Sequence, residues 1–424
     1  MTSDSFIIEG LAGKRLLKGS IPVYGAKNHA LKVMAAAALI EGTSRFTNVP
    51  AISDVDALAR ILEDLGAFVS RNGTELSVNA KDVSGTVMGQ ELAKSMRASI
   101  VLIGPLLARL GSVTFPHPGG DVIGERPIDL FISGFQKLGA EFTATNDTYT
   151  LSAPQGLQGG EIFFRVISVT ATETLMMAAT LAKGPVTLKN CAMEPEVVAL
   201  GEFLKSCGAK IGGLGTTTIT IEPSVMREPH VAHTIIPDRM EAATFLALGA
   251  LAADELTITG AEPAHLDAVF DRLSAMGVSY TVEPQTITVR GAEFLHPTRV
   301  RTHEYPGFPT DAQAPFAVLM TQAEGESTIR ETIFDGRLNY ASELVSMGAN
   351  ITVANPHRAI VKGSTPLKGR AIAGPDIRAG LAYILAAIIA DGTSTVGNAH
   401  HMDRGYAAIE KRLAAVGVPI TRVS

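Results

Sequence analysis

A helix end that runs through a glycine into a β-rich segment recurs six times along this chain of 424 residues. The six copies read ILEDLGAFV, FQKLGAEFT, FLKSCGAKI, RLSAMGVSY, ELVSMGANI and RLAAVGVPI. Their glycines are spaced 69 to 73 residues apart, at Gly66, Gly139, Gly208, Gly277, Gly348 and Gly417. Because a repeat of this period covers the whole chain, we expect a fold built from six similar units.

Each copy predicts one amphipathic helix, one β-hairpin and one apolar helix. In the first copy Ser53 is a candidate N-cap, apolar residues follow with helical spacing, and Gly66 stands just past the helix end. The segment AFVSRNGTELSV then turns at Asn72 and Gly73, a pair typical of hairpins. Helices such as MAAAALI and MMAATLA consist almost wholly of Ala, Leu, Ile and Met, so we expect them to be buried on every side.

Six such α/β units favour two lobes of three repeats, with helices inside and sheets outside. A solenoid is the alternative, but wholly apolar helices suit closed lobes better than an open stack. The repeat is interrupted by Pro and His in REPHVAHTIIPDR. We therefore predict a first lobe over 27–235, which carries a loop at 118–130, and a second lobe over 1–26 plus 236–424. In this division the N-terminal strand FIIEG completes a sheet of the second lobe.

Composition and charge exclude several classes of partner. The net charge is −6, and no run of Lys and Arg is long enough to bind nucleic acid. The start, MTSDSFIIEG, lacks the features of a signal peptide, and every apolar stretch is interrupted well short of a membrane span. Two cysteines in apolar surroundings fit a reducing compartment. We expect a soluble cytoplasmic protein with no nucleic-acid or membrane partner.

Basic residues at two predicted helix starts are candidates for binding an anion. Lys27 and Asn28 precede a buried helix, whose N-terminus favours negative charge, although an ordinary exposed lysine fits the pattern equally well. Arg97 lies at the head of the apolar helix in SMRASIVLIGPLLARLG. A cation there opposes the helix dipole, which favours a bound anion beside it.

A glycine-rich loop and an isolated aspartate are further candidates. The loop PGGDVIGERPIDL contains Asp121 and Arg126, and a guanidinium can hold a phosphate or carboxylate with two hydrogen bonds. A solvated hairpin is the commoner fate of such loops. In EYPGFPTDAQAPF, Asp311 precedes an apolar helix, where it is either an N-cap or a general base.

Three segments place an Asp close to an Arg: FDGRLNY, GPDIRAG and HHMDRGY, with Asp335 and Arg337, Asp376 and Arg378, and Asp403 and Arg404. Local ion pairs are one interpretation, and they would contribute little to the stability of the fold if they were exposed. Their similar positions in the repeat suggest instead a ring of arginines that faces a binding cleft.

No Walker A, G-x-G-x-x-G, G-x-S-x-G or H-E-x-x-H motif occurs, so neither nucleotide hydrolysis nor a metal site is indicated.

Six motifs together make the chain similar, from end to end, to the enolpyruvyl transferases that act on UDP-N-acetylglucosamine. They occur in that family's order: GAKNHALKVMAAAALIEG, SMRASIVLIGPLLARLG, PGGDVIGERPIDLFISG, MEPEVVAL, FPTDAQAPF and HHMDRGYAAIEKRL. The resemblance implies a two-lobed inside-out α/β barrel, in agreement with the six repeats. The related shikimate-pathway enzymes share this fold but have a different N-terminal lysine motif.

The resemblance also implies a reaction. Enolpyruvyl passes from phosphoenolpyruvate to the 3′-hydroxyl of UDP-N-acetylglucosamine through a tetrahedral ketal, and phosphate is released, as the first committed step of peptidoglycan synthesis. No metal and no cofactor is implied. By their positions in the motifs, Lys27, Asn28, Arg126 and Arg404 would hold phosphoenolpyruvate, and Asp311 would take the proton of the 3′-hydroxyl. The residues matched to UDP-sugar contacts are Arg97, Arg126, Pro127, Ile128, Asp129, Leu130, Ser168, Val169, Asp311 and Ile333.

Three residues depart from the family pattern. Asp121 stands where the family usually has a cysteine, so a carboxylic acid would protonate the methylene carbon, and catalysis would involve Asp121, Asp311, Lys27 and Arg404. Val166 replaces a lysine that contacts the nucleotide, for which Arg165 is a candidate substitute, and Phe131 replaces a frequent histidine. Two other functions therefore stay open: transfer to a different acceptor, and a non-catalytic sensor of UDP-sugars.

Overall fold

The computed structural model describes residues 4–117, 119, 123–124 and 127–423. The chain forms two compact lobes. The first lobe contains residues 25–120 and 126–236, and the second contains residues 1–24, 121–125 and 237–424, in each case as far as they are described. The sequence placed the whole loop 118–130 in the first lobe, whereas Ile123 and Gly124 group with the second.

Local contacts explain this difference. The backbone N–H of Gly336 donates to the carbonyl of Ile123 at 3.0 Å, and the Ile123 side chain is buried. Gly124 has a φ of 119° and lies against the Asp335 carboxylate, where a Cβ atom would collide. Asp121 and Arg126 themselves lie outside the described residues.

The described residues form fourteen α-helices. In chain order they are α1 Lys27–Ala37, α2 Ser53–Asp64, α3 Gln90–Ser95, α4 Ile103–Leu110, α5 Asp129–Lys137, α6 Val169–Ala179, α7 Pro195–Ser206, α8 Arg239–Ala252, α9 Asp267–Ala275, α10 Gln313–Thr321, α11 Ala341–Ser346, α12 Ile377–Ile389, α13 His400–Asp403 and α14 Ile409–Ala415. Four short 3-10 helices add Arg97–Leu102, Pro263–His265, Thr310–Ala312 and Arg337–Tyr340.

The strands are short and fall into six sheets. They are β1 Ser5–Glu9, β2 Leu17–Pro22, β3 Thr43–Thr47, β4 Phe68–Asn72, β5 Glu75–Asn79, β6 Ser112–Pro116, β7 Glu141–Ala144, β8 Thr148–Ser152, β9 Gly160–Phe163, β10 Val186–Lys189, β11 Lys210–Gly212, β12 Thr218–Glu222, β13 His233–Thr234, β14 Ala253–Thr259, β15 Tyr280–Glu283, β16 Thr286–Val289, β17 Arg299–Arg301, β18 Gly325–Arg330, β19 Asn350–Asn355, β20 Arg358–Gly363, β21 Ala371–Ala373, β22 Thr393–Gly397 and β23 Ile420–Val423.

Each lobe has three of the sheets. Those of the first lobe have the strand orders β13-β3-β5-β4, β6-β8-β7 and β11-β12-β10-β9. Those of the second are β15-β16-β14-β2, β17-β18-β20-β19 and β21-β22-β1-β23. Strand β1, the segment FIIEG, pairs antiparallel with both β22 and β23, so the chain start lies in a second-lobe sheet as the sequence predicted.

Apolar helices fill the interior of each lobe. In the second lobe α8, α10 and α12 pack against one another, and every residue of α10 and α12 is buried. In the first lobe α4 packs on α6 so closely that a Cβ atom on Gly104 would collide with the carbonyl of Thr174. The predicted α/β architecture, with buried helices and outer sheets, is therefore confirmed. Among the described helices none combines the length and apolar character needed to span a bilayer.

The six repeat glycines have the backbone conformation that the sequence predicted. All have positive φ, between 81° and 107°, which ends the preceding helix. At Gly66 a Cβ atom would also lie 2.7 Å from the carbonyl oxygen of Asp82.

We expect Gly66→Ala to lower the free energy of unfolding by about 1–3 kcal/mol, because it forces an L-residue into a left-handed conformation with no space for its methyl group. The matched control is Gly73→Ala, since Gly73 has φ 58° and open space around it. Urea unfolding should show a smaller loss of unfolding free energy for the control than for Gly66→Ala. Equal losses would mean that the contact with Asp82 is unimportant.

Candidate active site

Lys27 begins α1 and is buried, so the alternative of an ordinary exposed lysine is wrong. Its Nζ lies 2.6 Å from Oδ2 of Asp54, a buried residue in the first turn of α2. Asn28, the next residue, is partly exposed. A buried ammonium at a helix N-terminus is costly unless anions surround it, and this position is therefore suited to hold a negatively charged ligand beside Asp54.

Two histidines, which the sequence analysis missed, hold the start of α1 in place. Nδ1 of the buried His29 accepts the backbone N–H of Ile236 at 3.2 Å, so the ring proton of a neutral His29 is on Nε2. That nitrogen lies 3.2 Å from Nε2 of His233, which must then accept. Burial, followed by the charges of His233 and Lys32, lowers the pKa of His29 to about 3. The pair is neutral near pH 7.

A second buried ion pair connects α1 to α6. Nζ of Lys32 lies 2.6 Å from Oε2 of Glu173, and both side chains are almost completely shielded from solvent. Burial raises the pKa of Glu173 to about 7, with Lys32 opposing the shift and Glu196 and Glu194 adding to it. Nothing in the local sequence indicated this pair, because its members are 141 residues apart.

Arg97 begins a 3-10 helix rather than the α-helix that the sequence predicted. The 3-10 helix Arg97–Leu102 runs directly into α4, and Met96 before it is extended. Ser99 stabilises the turn because its hydroxyl donates to the carbonyls of Ala93 and Met96. Arg97 is partly exposed at this start.

The described end of the 118–130 loop leads into α5. Ile128 precedes the helix, Asp129 is its first residue and Leu130 its second, while Pro127 is exposed. The Asp129 carboxylate pairs with the guanidinium of Arg165. The predicted substitute for the family lysine therefore contacts one of the predicted UDP-sugar residues.

The remaining residues that were predicted to contact the nucleotide differ in position and burial. Ser168 caps α6, since its Oγ accepts the backbone N–H of Ala171 at 3.2 Å, and Val169 is the first helical residue. Val166 is 56% exposed. Phe131 is only 4% exposed and packs in the core.

Asp311 lies in the 3-10 turn Thr310–Ala312 of the second lobe, held by two buried arginines. The residue that precedes α10 is Ala312, so the N-cap interpretation of Asp311 is wrong. Its Oδ1 accepts from the guanidinium of Arg337, and its Oδ2 lies 2.9 Å from Nε of Arg378. Two guanidinium groups hold both oxygens of this carboxylate and fix its orientation.

The three local Asp–Arg pairs are not formed. Arg337 reaches Asp311 instead of Asp335. Asp376 caps α12 through the backbone N–H groups of Arg378 and Ala379. Asp403 pairs with Arg422.

The physical reason is that residues one or two positions apart on a helical turn point in different directions. Two of the three arginines, Arg337 and Arg378, converge on Asp311, while Arg404 is partly exposed at the end of α13. Nε of Arg337 is buried and has no hydrogen-bond partner among the described residues.

Glu331, which the sequence analysis also missed, connects Ile333 to the turn that carries Asp311. Its Oε1 accepts the backbone N–H groups of Ile333 at 2.7 Å and Phe334 at 3.1 Å. Its Oε2 accepts from Thr310 and Gln313, both at 2.9 Å. One buried carboxylate thus positions two predicted contact residues.

In the described part of the chain no three His, Cys, Asp or Glu side chains are grouped as metal ligands.

The low pKa of His29 predicts a pH-dependent stability. Below pH 6.5 the unfolded chain protonates this histidine, while the folded chain keeps it neutral down to about pH 3. The free energy of unfolding should therefore fall as the pH drops from 6.5, by up to about 1.4 kcal/mol per pH unit from this group.

His29→Asn retains an acceptor for Ile236 and should flatten the dependence in urea unfolding between pH 7 and 5. The exposed His230→Asn is the control and should keep the slope of the unmodified protein. Parallel curves for all three proteins would contradict the prediction.

Comparison with known proteins matches residues 11–413 to the family described as EPSP synthase (3-phosphoshikimate 1-carboxyvinyltransferase). The UDP-N-acetylglucosamine 1-carboxyvinyltransferase of Desulfosudis oleivorans is 43% identical over 421 residues, which cover 99% of this chain and all of the relative. The protein of the same name from Trichormus variabilis is 42% identical over 425 residues, covering 99% of this chain and 94% of the relative.

Solved structures agree with this assignment. The enolpyruvyl transferase NikO from Streptomyces tendae superposes with a TM-score of 0.89 at 25% identity, over 99% of both chains. An EPSP synthase from Acinetobacter baumannii has a TM-score of 0.74 at 18% identity over the full length of both chains, which shows a shared fold. The chain therefore belongs to the EPSP synthase family of carboxyvinyltransferases, together with the relatives named UDP-N-acetylglucosamine 1-carboxyvinyltransferase.

Proposed function

We propose that this protein transfers the enolpyruvyl group of phosphoenolpyruvate to the 3′-hydroxyl of UDP-N-acetylglucosamine and releases phosphate, in the synthesis of peptidoglycan. The observation that carries the proposal is identity of 42–43% to enzymes of that name over almost the whole chain. Both cysteines are free and buried, which supports action in a reducing, cytoplasmic compartment.

Phosphoenolpyruvate brings close to three negative charges, which need several basic groups. Lys27 and Asn28 at the N-terminus of α1, with Arg126 and Arg404, are the residues we assign to its phosphate and carboxylate. The burial of Lys27 supports this role, because an ammonium shielded from water binds an anion more strongly than an exposed one does.

Asp311 is assigned to the proton of the 3′-hydroxyl. As the hydroxyl oxygen bonds to C2 of phosphoenolpyruvate, its proton passes to the Asp311 carboxylate and the methylene carbon C3 takes a proton from Asp121. The tetrahedral ketal then loses phosphate as C3 gives a proton back. Arg337 and Arg378 support the role of Asp311 because they hold both of its oxygens.

The UDP-sugar is assigned to Arg97, to the loop that includes Arg126, and to Ser168, Val169 and Ile333. In the first lobe the ion pair between Asp129 and Arg165 supports the view that Arg165 replaces the missing lysine. The backbone of Ile333 is held by Glu331, which favours a contact through main-chain atoms.

Transfer to a different acceptor is the second candidate. It is favoured by Val166 and Phe131, which depart from the family pattern, one exposed and one buried. The identity to the UDP-N-acetylglucosamine enzymes favours the first proposal. Phosphate release assayed with both substrates tests it, and the absence of turnover with UDP-N-acetylglucosamine would overturn it.

Asp311→Asn should lower kcat by about 10²–10⁴, because the amide cannot take the hydroxyl proton. The KM for UDP-N-acetylglucosamine should change only a few-fold, since Asn keeps the shape of the side chain. The control is Asp254→Asn, an exposed aspartate at the start of β14. A kcat equal to that of the control would remove Asp311 from the proton transfer.

Asp121→Asn should abolish phosphate release, because an amide is no proton donor to the methylene carbon. Thiol-directed epoxides such as fosfomycin should leave the unmodified enzyme without a covalent adduct, while Asp121→Cys should become sensitive to them. Mass spectrometry of the intact protein shows whether the unmodified enzyme or the Asp121→Cys variant carries a covalent adduct. A stable adduct on the unmodified loop would contradict the assignment.

A further inference from the structure

Three arginines form a row across the outer face of one second-lobe sheet. Arg301 on β17 is paired in register with Arg330 on β18, and Arg330 is paired with Arg358 on β20. Neighbouring strands are about 4.8 Å apart, so the three side chains start within about 10 Å of one another. All three are exposed, whereas the next positions, Val300, Ile329 and Ala359, are buried.

The positive charge of this row is not balanced by the protein. None of the described residues forms an ion pair or hydrogen bond with the guanidinium groups of Arg301, Arg330 or Arg358, or with that of the nearby Arg299. The one acid in these four strands, Glu326, lies 3.5 Å from Lys362. Acidic partners are found for some other surface arginines, namely Arg45, Arg71, Arg165, Arg272 and Arg290, whereas the exposed Arg15, Arg60, Arg227 and Arg370 form no ion pair with the described residues.

Like charges directly opposite each other on a sheet destabilise it. A row of three, with a fourth arginine two positions away on β17, is an unfavourable arrangement for a surface that faces only water. A bound anion would turn this repulsion into attraction.

The same face forms a depression with polar groups around it. Its volume is about 690 Å³, and its lining includes Arg299, Arg330, Arg358, Asn355 and His357 together with one acidic residue, Glu326, which is paired with Lys362. Nδ1–H of His357 donates to the carbonyl of Glu331 at 3.1 Å, which fixes the orientation of the ring at the edge of the depression. The volume suits a small molecule.

We propose that this arginine row is a binding site for a small molecule that carries two or more linked phosphate groups. Guanidinium groups hold phosphate oxygens with paired hydrogen bonds, and adjacent arginines can hold adjacent phosphates. A nucleic acid fits less well. The four strands carry no aromatic side chain on which a base could stack, and the net charge of the protein is −6.

This site is separate from the residues assigned to the reaction. Arg330 is followed directly by Glu331, but the arginine lies on the exposed face while the Glu331 side chain is buried and holds Ile333. The proposal does not depend on the proposed reaction, and its test uses direct binding.

Titration calorimetry at 0.15 M salt with sodium tripolyphosphate and sodium pyrophosphate tests the proposal. The unmodified protein should bind both, tripolyphosphate more tightly, and should bind inorganic phosphate and citrate at least tenfold more weakly. The double variant Arg330→Gln/Arg358→Gln should lose at least tenfold in affinity for tripolyphosphate. The single variants, each with a smaller loss, serve if the double variant folds poorly.

The matched control is Arg45→Gln, an exposed strand arginine of the first lobe, which removes one charge elsewhere and should leave the affinity unchanged. An equal loss of affinity in this control would show attraction to overall charge alone and would overturn the proposed site. Unchanged affinity in the double variant would also overturn it, because the polyphosphate would then bind among other basic residues such as Lys27. Citrate binding as tight as that of tripolyphosphate would overturn the phosphate class.

Discussion

Burial of the inner helices is the constraint on which the rest of this structure depends. A helix enclosed on all sides has no polar face, so its middle cannot carry chemistry without an expensive buried charge. The polar residues of interest therefore lie at or just before the N-termini of these helices. They are Lys27 as the first residue of α1, Arg97 at the start of the 3-10 helix that leads into α4, Ser168 before α6, Asp238 before α8, Asp311 before α10 and Asp376 before α12. The same helix ends supply unpaired N–H groups and a partial positive charge, which suit anionic substrates.

Among the described residues, every buried Lys or Arg side chain has a carboxylate partner. Lys32 pairs with Glu173, and Arg412 pairs with Glu241 at 2.6 Å. Such pairs add little net stability over apolar packing, but losing one partner typically costs about 3–5 kcal/mol. They connect helices of different repeats, so they help to specify how the repeats meet. Burial raises the pKa of Glu173 to about 7 despite the adjacent lysine, and it also raises the pKa of Glu241 despite Arg412.

In the second lobe the helix N-termini form one electrostatic network. Arg378 at the start of α12 contacts Asp311 before α10, and its charge is favoured by Tyr406, Asp311 and Asp238 although burial opposes it. Asp311 is therefore positioned by one arginine of its own repeat, Arg337, and one of the next repeat, Arg378. This supports a carboxylate that keeps one orientation through a reaction, since both of its oxygens are held by arginines that are themselves almost fully buried.

The amino-acid sequence by itself determined the six repeats, their helix ends at glycines with positive φ, the apolar inner helices and the N-terminal strand. These follow from local rules, because hydrophobic periodicity and glycine conformation act over a few residues. The motifs also identified most candidate site residues. Only the tertiary structure decided their partners. His29 meets His233 across 204 residues, and Asp311 meets Arg378 across 67. The arginines next to Asp335 and Asp376 in sequence turned to Asp311 because pairing in a closed lobe depends on which helix ends come together, and no local pattern encodes that.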